Sequence, residues 1–278
     1  MRPIVAASDS KASAPRRVGA LLALLFLAAC AALPTGTGSR LDALLPADII
    51  LIGEQHDAPE HQALQQAAVT ELAQRGSLAA LAIEMAEQGR STTGLSADAT
   101  ESQVRDALAW VEAGWAWARY GPVVMAAVRA GVPVLGANLP RSAMRTAMGN
   151  DNWDRLLSPA ALAQQREDIR TGHCNLLPAA QIAPMARIQI ARDAAMAATV
   201  AAAAQGGKVV LLVAGAGHVA RETGVPNHLP AGLATRVVLE VAGGAVEPRN
   251  KQVDSLWRTA PIPLIDHCAA LLRSLSKS

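Results

Sequence analysis

The chain has 278 residues, of which 51% are hydrophobic, 17% charged and only 3% aromatic. This composition excludes a disordered or collagen-like chain, and the length allows one large domain or two small ones around an aliphatic core. The formal net charge is +2, but residues 1–29 hold four basic side chains and one acidic side chain. The rest of the chain has 21 basic and 22 acidic side chains, so it offers no general positive field for nucleic acid.

The first 29 residues have the three regions of a bacterial targeting signal. A basic stretch to Arg17 precedes an apolar run, Val18–Ala29, which is too short to span a bilayer. The junction Leu27–Cys30 resembles a lipobox, which implies cleavage before Cys30 and a lipid anchor on that cysteine. Because alanine rather than aspartate follows, we expect the outer membrane of a bacterial envelope. An ordinary signal peptide with an incidental cysteine is the alternative.

Five short aliphatic segments, bounded by turn residues, predict strands. Their apolar residues are continuous rather than alternating, as in strands that are buried on both faces. Helical stretches separate them, so we predict an α/β fold with a mostly parallel central sheet flanked by helices. The predicted strands are Asp48–Ile52, Leu78–Ile83, Val132–Leu135, Lys208–Ala214 and Thr235–Val241.

Helices account for the segments between the strands. Proline near the start and glycine at the end predict a first helix over Pro59–Gly76, and a long, heavily buried helix is predicted from about Pro184 to Gln205. The connections from the second to the third predicted strand and from the third to the fourth are longer than a βαβ crossover needs. We therefore expect a helical lid from Thr100–Ala130 and Arg141–Ile169. The predicted organisation is a signal at 1–29, a lipidated tether at 30–46, and a domain at 47–278 with helical insertions near 100–130 and 141–205.

Polar residues follow four of the predicted strands. In an open parallel sheet, ligands bind beyond the carboxyl ends of the strands, so we expect these residues to meet at one rim. Carboxylates, imidazoles, an amide and a guanidinium gathered there have the composition of a functional site. The rim residues are Gly53-Glu54-Gln55-His56, Glu84, Asn138, Arg141 and Gly215-Ala216-Gly217-His218.

Glu54 and His56 are two residues apart, so in an extended segment they point to the same side. A carboxylate beside an imidazole orients it and raises its basicity, as a general base or metal ligand requires. A helix cap or a buried, hydrogen-bonded histidine is the alternative for His56. On the long helix, Gln189 and Asp193 share one face, which is directed either into the rim or toward the lid loops.

Aromatic residues cluster in a chain that otherwise has few. Trp110, Trp115, Trp117 and Tyr120 are four of the six aromatic residues that follow Cys30. Such a cluster favours a flat apolar ligand or an interface, and a tyrosine phenolate can ligate ferric haem. The alternative is that these side chains fill the core of the lid.

The other histidines and cysteines give weaker indications. His61 is predicted on the exposed side of the first helix, and His173 could line the lid side of the crevice. Cys174 and Cys268 could pair in an oxidising compartment, although their spacing does not decide it.

Short motifs recur in a fixed order between about Ala47 and Leu256. They are Ile52–His56, Ile83–Met85, Tyr120–Pro122, Gly136–Arg141, His173-Cys174, Gln189 with Arg192-Asp193 and Met196-Ala197, and Gly215–His218. Together they resemble those of the ChaN-like haem-binding lipoproteins, in the superfamily of Tiki proteases and erythromycin esterases. The lipobox fits the placement of that family.

The resemblance implies haem bound between the lid and the sheet edge. It makes Tyr120 the candidate axial ligand, with Trp115 and Trp117 near the macrocycle and His56 and Arg141 near the propionates. As partners it allows a second copy of the chain and an outer-membrane haem receptor, and it implies a role in haem or iron uptake.

The same superfamily supports a rival hypothesis, a hydrolase that uses a divalent metal or a general base. On this interpretation Glu54, His56, Glu84 and His218 form the reactive group. The aromatic cluster and the lipid anchor favour haem binding. In either case the supporting residues would be Asn138, His173, Gln189 and Asp193.

Overall fold

The computed structural model describes residues 36–243, 252–263 and 265–275. The predictions for the signal, for Cys30 and for the first part of the tether lie outside these residues. Within the described ranges, no helix is both long enough and apolar enough to cross a membrane.

A single sheet forms the centre of the described chain, and all of its strand pairs are parallel. The strand order is β3-β2-β4-β1-β5-β6, which confirms the predicted α/β fold. The five predicted strands are present, and a sixth was missed because its short edge segment contains only two apolar residues. The strands are β1 Ile49–Glu54, β2 Leu78–Glu87, β3 Val134–Asn138, β4 Val209–Gly215, β5 Thr235–Ala242 and β6 Ser255–Thr259.

Nine α-helices are described, and two of them test predicted ends directly. The helix predicted from Pro59 ends at Gln74, and Gly76 follows with a φ of +65°, a conformation that glycine adopts at low cost. The long helix begins at Ala179, so Pro184 lies inside it rather than at its start. The helices are α1 Thr37–Asp42, α2 Pro59–Gln74, α3 Glu101–Ala107, α4 Trp117–Arg129, α5 Arg141–Gly149, α6 Pro159–Gly172, α7 Ala179–Ala203, α8 Val225–His228 and α9 His267–Leu275.

The strands are buried on both faces because side chains alternate between two apolar layers. Ile50 and Ile52 point into the layer that contains residues of α1, α2 and α4. Ile49 and Leu51 point into the opposite layer, which contains residues of α7 and α8. This sandwich leaves the carboxyl ends of β1, β2 and β4 side by side at one edge.

The two helical insertions differ in how they pack. Helix α4 of the first insertion packs against α2, and its Val124 and Val128 are buried in the core beneath the sheet. It therefore belongs to the helical layer, while residues 109–116 ahead of it are mainly exposed. In the second insertion α5 and α6 pack on α7, and two small apolar clusters include residues of α6 and α7.

Cys174 and Cys268 form a disulfide bond, with their Cα atoms 5.6 Å apart. The bond joins the segment after α6 to α9 across 94 residues of sequence. Spacing alone left this pairing open, and the fold decides it.

Candidate functional site

The carboxyl edge of the sheet carries a row of alternating carboxylates and imidazoles. His56 Nδ1 lies 2.7 Å from Glu54 Oε1, and His56 Nε2 lies 3.8 Å from Glu84 Oε2. Beyond Glu84, His218 Nε2 lies 3.3 Å from Glu84 Oε1, and His218 Nδ1 lies 2.5 Å from Asp193 Oδ1. The fold thus joins residues from β1, β2, α7 and the turn after β4 into one polar site.

Glu54 is buried at the end of β1, and four hydrogen bonds surround its carboxylate. Its Oε1 atom accepts from the Tyr120 hydroxyl at 2.7 Å and contacts His56 Nδ1. Its Oε2 atom accepts from the side-chain amides of Gln62 and Gln65, at 2.6 and 2.7 Å. These partners stabilise an ionised carboxylate, which can only accept hydrogen bonds.

His56 is the histidine of the rim that reaches solvent, since its side chain is 40% exposed. Burial by itself would lower the pKa of His56, but the hydrogen bond to Glu54 and the negative charge of Glu84 outweigh burial and raise the pKa. The ring of Trp115 contacts the imidazole edge-on, with the ring centroids 4.9 Å apart.

A glycine lets the main chain after β4 approach the inner side of His56 closely. A Cβ atom at Gly215 would lie 2.7 Å from His56 Nε2, closer than van der Waals contact permits. On the outer side, the Arg119 guanidinium donates a hydrogen bond to the backbone carbonyl of His56. The imidazole is therefore held from several directions, and its Nε2 atom lies close to the main chain of Gly215 with no side chain from position 215 in contact.

Glu84 lies in the middle of the row and is buried. Its Oε1 atom accepts from Arg192 Nη2 at 2.6 Å, and its Oε2 atom accepts from the backbone N–H of Gly215 at 2.8 Å. Burial alone would raise the pKa of Glu84, but the charges of His218 and Arg192 outweigh it and hold the pKa far below its ordinary value. Asn138 holds Glu84 and Arg192 together, because its side-chain amide donates to the Glu84 backbone carbonyl and its side-chain oxygen accepts from Arg192.

His218 and Asp193 form a buried pair behind Glu84. Burial would lower the pKa of His218, but the negative charges of Glu84 and Asp193 outweigh burial and raise the pKa to about 9. Burial also raises the pKa of Asp193 to about 6, against the opposing influence of His218. The pair therefore retains a proton at neutral pH. Gln189 Nε2 contacts both ring nitrogens of His218 at 3.1 Å, so α7 does face the rim.

Tyr120, the residue expected as the axial haem ligand, lies at the rim. Its side chain is buried, and its hydroxyl donates to Glu54. Burial, followed by the negative charge of Glu54, raises the pKa of Tyr120 well above its ordinary value. Ligation through a phenolate requires loss of this proton beside a carboxylate, so the geometry argues against the expected role.

The two tryptophans expected near a ligand differ in position. Trp115 contacts the rings of both His56 and Tyr120, so it belongs to the rim. Trp117 is buried, packs edge-on against Trp110, and its indole donates to Glu101 at 2.7 Å. Trp117 therefore fills the core, as in the alternative that the sequence left open.

The structure also gives the positions of three other residues from the sequence analysis. Arg141 is exposed, and the contact that fixes it is its backbone N–H to Glu87. His173 ends α6, where its ring contacts the Ile169 carbonyl. Among the described contacts, no hydrogen bond or ion pair joins the side chain of either residue to the row of carboxylates and imidazoles. His61, expected to be exposed, is fully buried and accepts from the backbone N–H of Gln55.

The rival hypothesis of a metal site has a geometric test. Within the described residues, no group of three or more His, Cys, Asp or Glu side chains is arranged to hold a metal ion. Glu54 and Glu84 direct their oxygens toward amide, hydroxyl, guanidinium and imidazole donors instead.

Several residues of the site were missed by sequence reasoning. Gln62 and Gln65 are three apart on α2 and buried among apolar neighbours, a pattern that could have indicated a polar cluster under the helix. Arg192 appeared in a motif but received no role, and together with His218 it neutralises Glu84. Arg119 gave no signal, because an exposed helical arginine is common.

The fold and this site define a parallel α/β protein whose carboxyl edge carries a buried acid–imidazole network. More specifically, residues 40–229 match the family described as haem-binding uptake, Tiki superfamily, ChaN, and the chain belongs to that family. The resemblance found in the motifs is thereby confirmed.

Two solved structures are similar to the chain. ChaN of Campylobacter jejuni, in a structure with cofacial haem, is 24% identical over 74% of this chain and 86% of that chain, with a TM-score of 0.60. The type III effector HopBA1 is 18% identical over 77% of this chain and 88% of that chain, with a TM-score of 0.42. The first similarity shows the shared fold. No curated protein is significantly similar to the chain.

Proposed function

We propose that this protein binds haem at the carboxyl edge of the sheet and serves haem or iron uptake from a lipid anchor in the bacterial outer membrane. Membership in a haem-binding uptake family supports the ligand. The observation that carries the proposal is His56, a partly exposed imidazole that a buried glutamate holds in place at the rim.

The chemistry of the rim fits haem by residue type. When bound, haem supplies an iron centre, for which histidine is a common protein ligand. His56 meets this requirement because Nδ1 is occupied by Glu54, while Nε2 lies 3.8 Å from Glu84 Oε2, beyond hydrogen-bond distance, and position 215 carries no side chain. A carboxylate on the far nitrogen fixes the ring and raises the basicity of the ligating nitrogen. We therefore assign His56, rather than Tyr120, as the iron-facing residue.

The surroundings of His56 supply the other contacts that haem requires. Trp115 offers an aromatic surface beside the imidazole, which suits a flat apolar macrocycle. The guanidinium of Arg119 lies against the main chain of His56, so Arg119 would be the cation available to a propionate.

Hemin titration of the purified protein tests the proposal. We expect a saturable Soret change that is lost in His56→Ala and kept in Tyr120→Phe, with Trp153→Phe as a control remote from the rim. Loss of binding in Tyr120→Phe and not in His56→Ala would restore tyrosine as the axial ligand. No saturable binding by the wild-type protein would refute the proposal.

The anchor rests on the lipobox at Cys30. Incorporation of a labelled fatty acid and recovery in the outer-membrane fraction are expected for the wild-type chain, and both should be lost in Cys30→Ser. Soluble, unlabelled wild-type protein would contradict the anchor. A second copy and an outer-membrane haem receptor remain the proposed partners, and light scattering with and without hemin tests for the dimer.

One observation favours a second candidate function, a general-base hydrolase. The Glu54–His56 pair has the geometry of a base oriented by a carboxylate, and the imidazole reaches solvent. Ester and peptide hydrolysis by the wild-type protein, absent in His56→Ala, would support this function. Equal rates in both proteins would exclude His56 as the base.

A further inference from the structure

Two buried glutamates lie side by side beneath the rim. Strands β1 and β5 are neighbours, with Gly53 opposite Leu239, so the next residues, Glu54 and Glu240, are also adjacent. Both side chains point toward α2 and are at most 2% exposed. A single amide joins them, because Gln65 Nε2 lies 2.7 Å from an oxygen of each carboxyl group.

The hydrogen bonds distinguish the two glutamates. Glu54 has four partners around its two oxygens, which is the full set that an ionised carboxylate accepts. Glu240 accepts one hydrogen bond at Oε2, and its buried Oε1 atom has no partner. The side-chain oxygens of Gln62 and Gln65 are also buried and unpartnered, and the amide nitrogen of Gln65 already contacts Glu240.

The surroundings of Glu240 oppose a second negative charge. Glu54 faces it from β1, α2 presents the neutral Gln65, and the neighbouring residue of β6 is Trp257. Burial raises the pKa of Glu240 well above its ordinary value; the Gln65 hydrogen bond opposes this shift, and the charge of Glu54 adds to it. Two like charges joined by one amide in a buried site are strongly disfavoured.

We propose that Glu240 is a buried carboxylic acid, held beside Glu54 by the shared amide of Gln65. Its proton removes the like-charge repulsion that two ionised carboxyl groups would have across this amide. The inference goes beyond haem binding and does not depend on it, since it concerns the ligand-free protein.

Glu240→Gln tests the proposal, because glutamine is the neutral isostere of a protonated glutamate. Glu222→Gln, at an exposed glutamate, is the matched control. We expect Glu240→Gln to fold and to lose an infrared carbonyl band of a protonated carboxyl group that the wild type and Glu222→Gln show at neutral pH. Absence of that band from the wild type, or failure of Glu240→Gln to fold, would overturn the proposal.

The pH dependence of unfolding gives a second readout. A raised pKa in the folded state gives stability that is present below the unfolded pKa and lost as pH rises through the folded pKa. We expect the ratio of wild-type to Glu240→Gln unfolding constants to rise at least about tenfold between about pH 4 and about pH 8. A constant ratio would show that Glu240 is ionised in the folded protein.

Discussion

Removal of the Tyr120 hydroxyl is the most direct test of the rim network. Tyr120→Phe keeps the ring, so the contacts of this ring with Trp110 and Trp115 are retained and no cavity forms. The change deletes the hydrogen bond of 2.7 Å to Glu54 Oε1. A buried carboxylate is then left with one acceptor position empty.

The expected cost follows from the charge on the acceptor. A hydrogen bond to a charged group contributes about 1.5–3 kcal/mol to the free energy of unfolding, more than a bond between neutral groups. For a domain of this size each kcal/mol shifts Tm by about 2–4 °C, so we expect Tm to fall by roughly 3–12 °C.

Urea and thermal unfolding of the ligand-free protein measure this cost. Thr70→Val is the matched control, because it deletes a hydroxyl on α2 that donates to the Gln66 backbone carbonyl rather than to a buried carboxylate. We expect the control to change the free energy of unfolding by less than about 0.5 kcal/mol. If Tyr120→Phe costs no more than the control, the bond to Glu54 does not stabilise the site.

Three further predictions concern the site and its supports. The pKa of His218 is raised to about 9, so its contribution to the free energy of unfolding should be complete below about pH 6.5 and lost as pH rises through 9. The loss should be at most about 3 kcal/mol. Urea unfolding across this range should show the loss in the wild type and not in His218→Gln. Gly215→Ala places a Cβ atom 2.7 Å from His56 Nε2 and should weaken hemin binding by roughly tenfold or more. Gly217→Ala, with open space around the glycine, should bind hemin like the wild type. Equal hemin affinities of Gly215→Ala and the wild type would refute the assignment of Nε2. Replacing both cysteines of the Cys174–Cys268 bond by serine should lower stability by about 2–5 kcal/mol, since the bond closes a loop of 94 residues; an unchanged urea midpoint would contradict this.

The sequence by itself determined the layered architecture. Buried parallel strands must be apolar on both faces, so runs such as Ile49–Ile52 are visible without any tertiary information. The position of polar residues directly after those runs also follows from the sequence, because parallel strands end at one edge. For this reason Glu54, Glu84 and His218 could be expected to approach one another.

The contacts within the site could not be predicted in the same way. Glu240 was treated as part of an apolar strand. Its link to Glu54 depends on Gln65 of α2, whose amide reaches residues of two strands that are distant in sequence. Tyr120 was expected to face a ligand, but the rotation of α4 turns its hydroxyl onto Glu54. The rotation of α4 about its axis cannot be predicted from residue spacing or composition.

Local patterns thus determined which segments are strands and helices and which residues lie at the carboxyl edge. Tertiary packing decided which atoms of those residues meet: it placed Trp117 in the core, Trp115 beside His56, and Cys174 against Cys268. The physical reason is the distance along the chain over which each interaction acts. Periodicity and turn chemistry act over a few residues, whereas hydrogen bonds in the site are fixed to tenths of an ångström by how α2, α4 and α7 pack on the sheet.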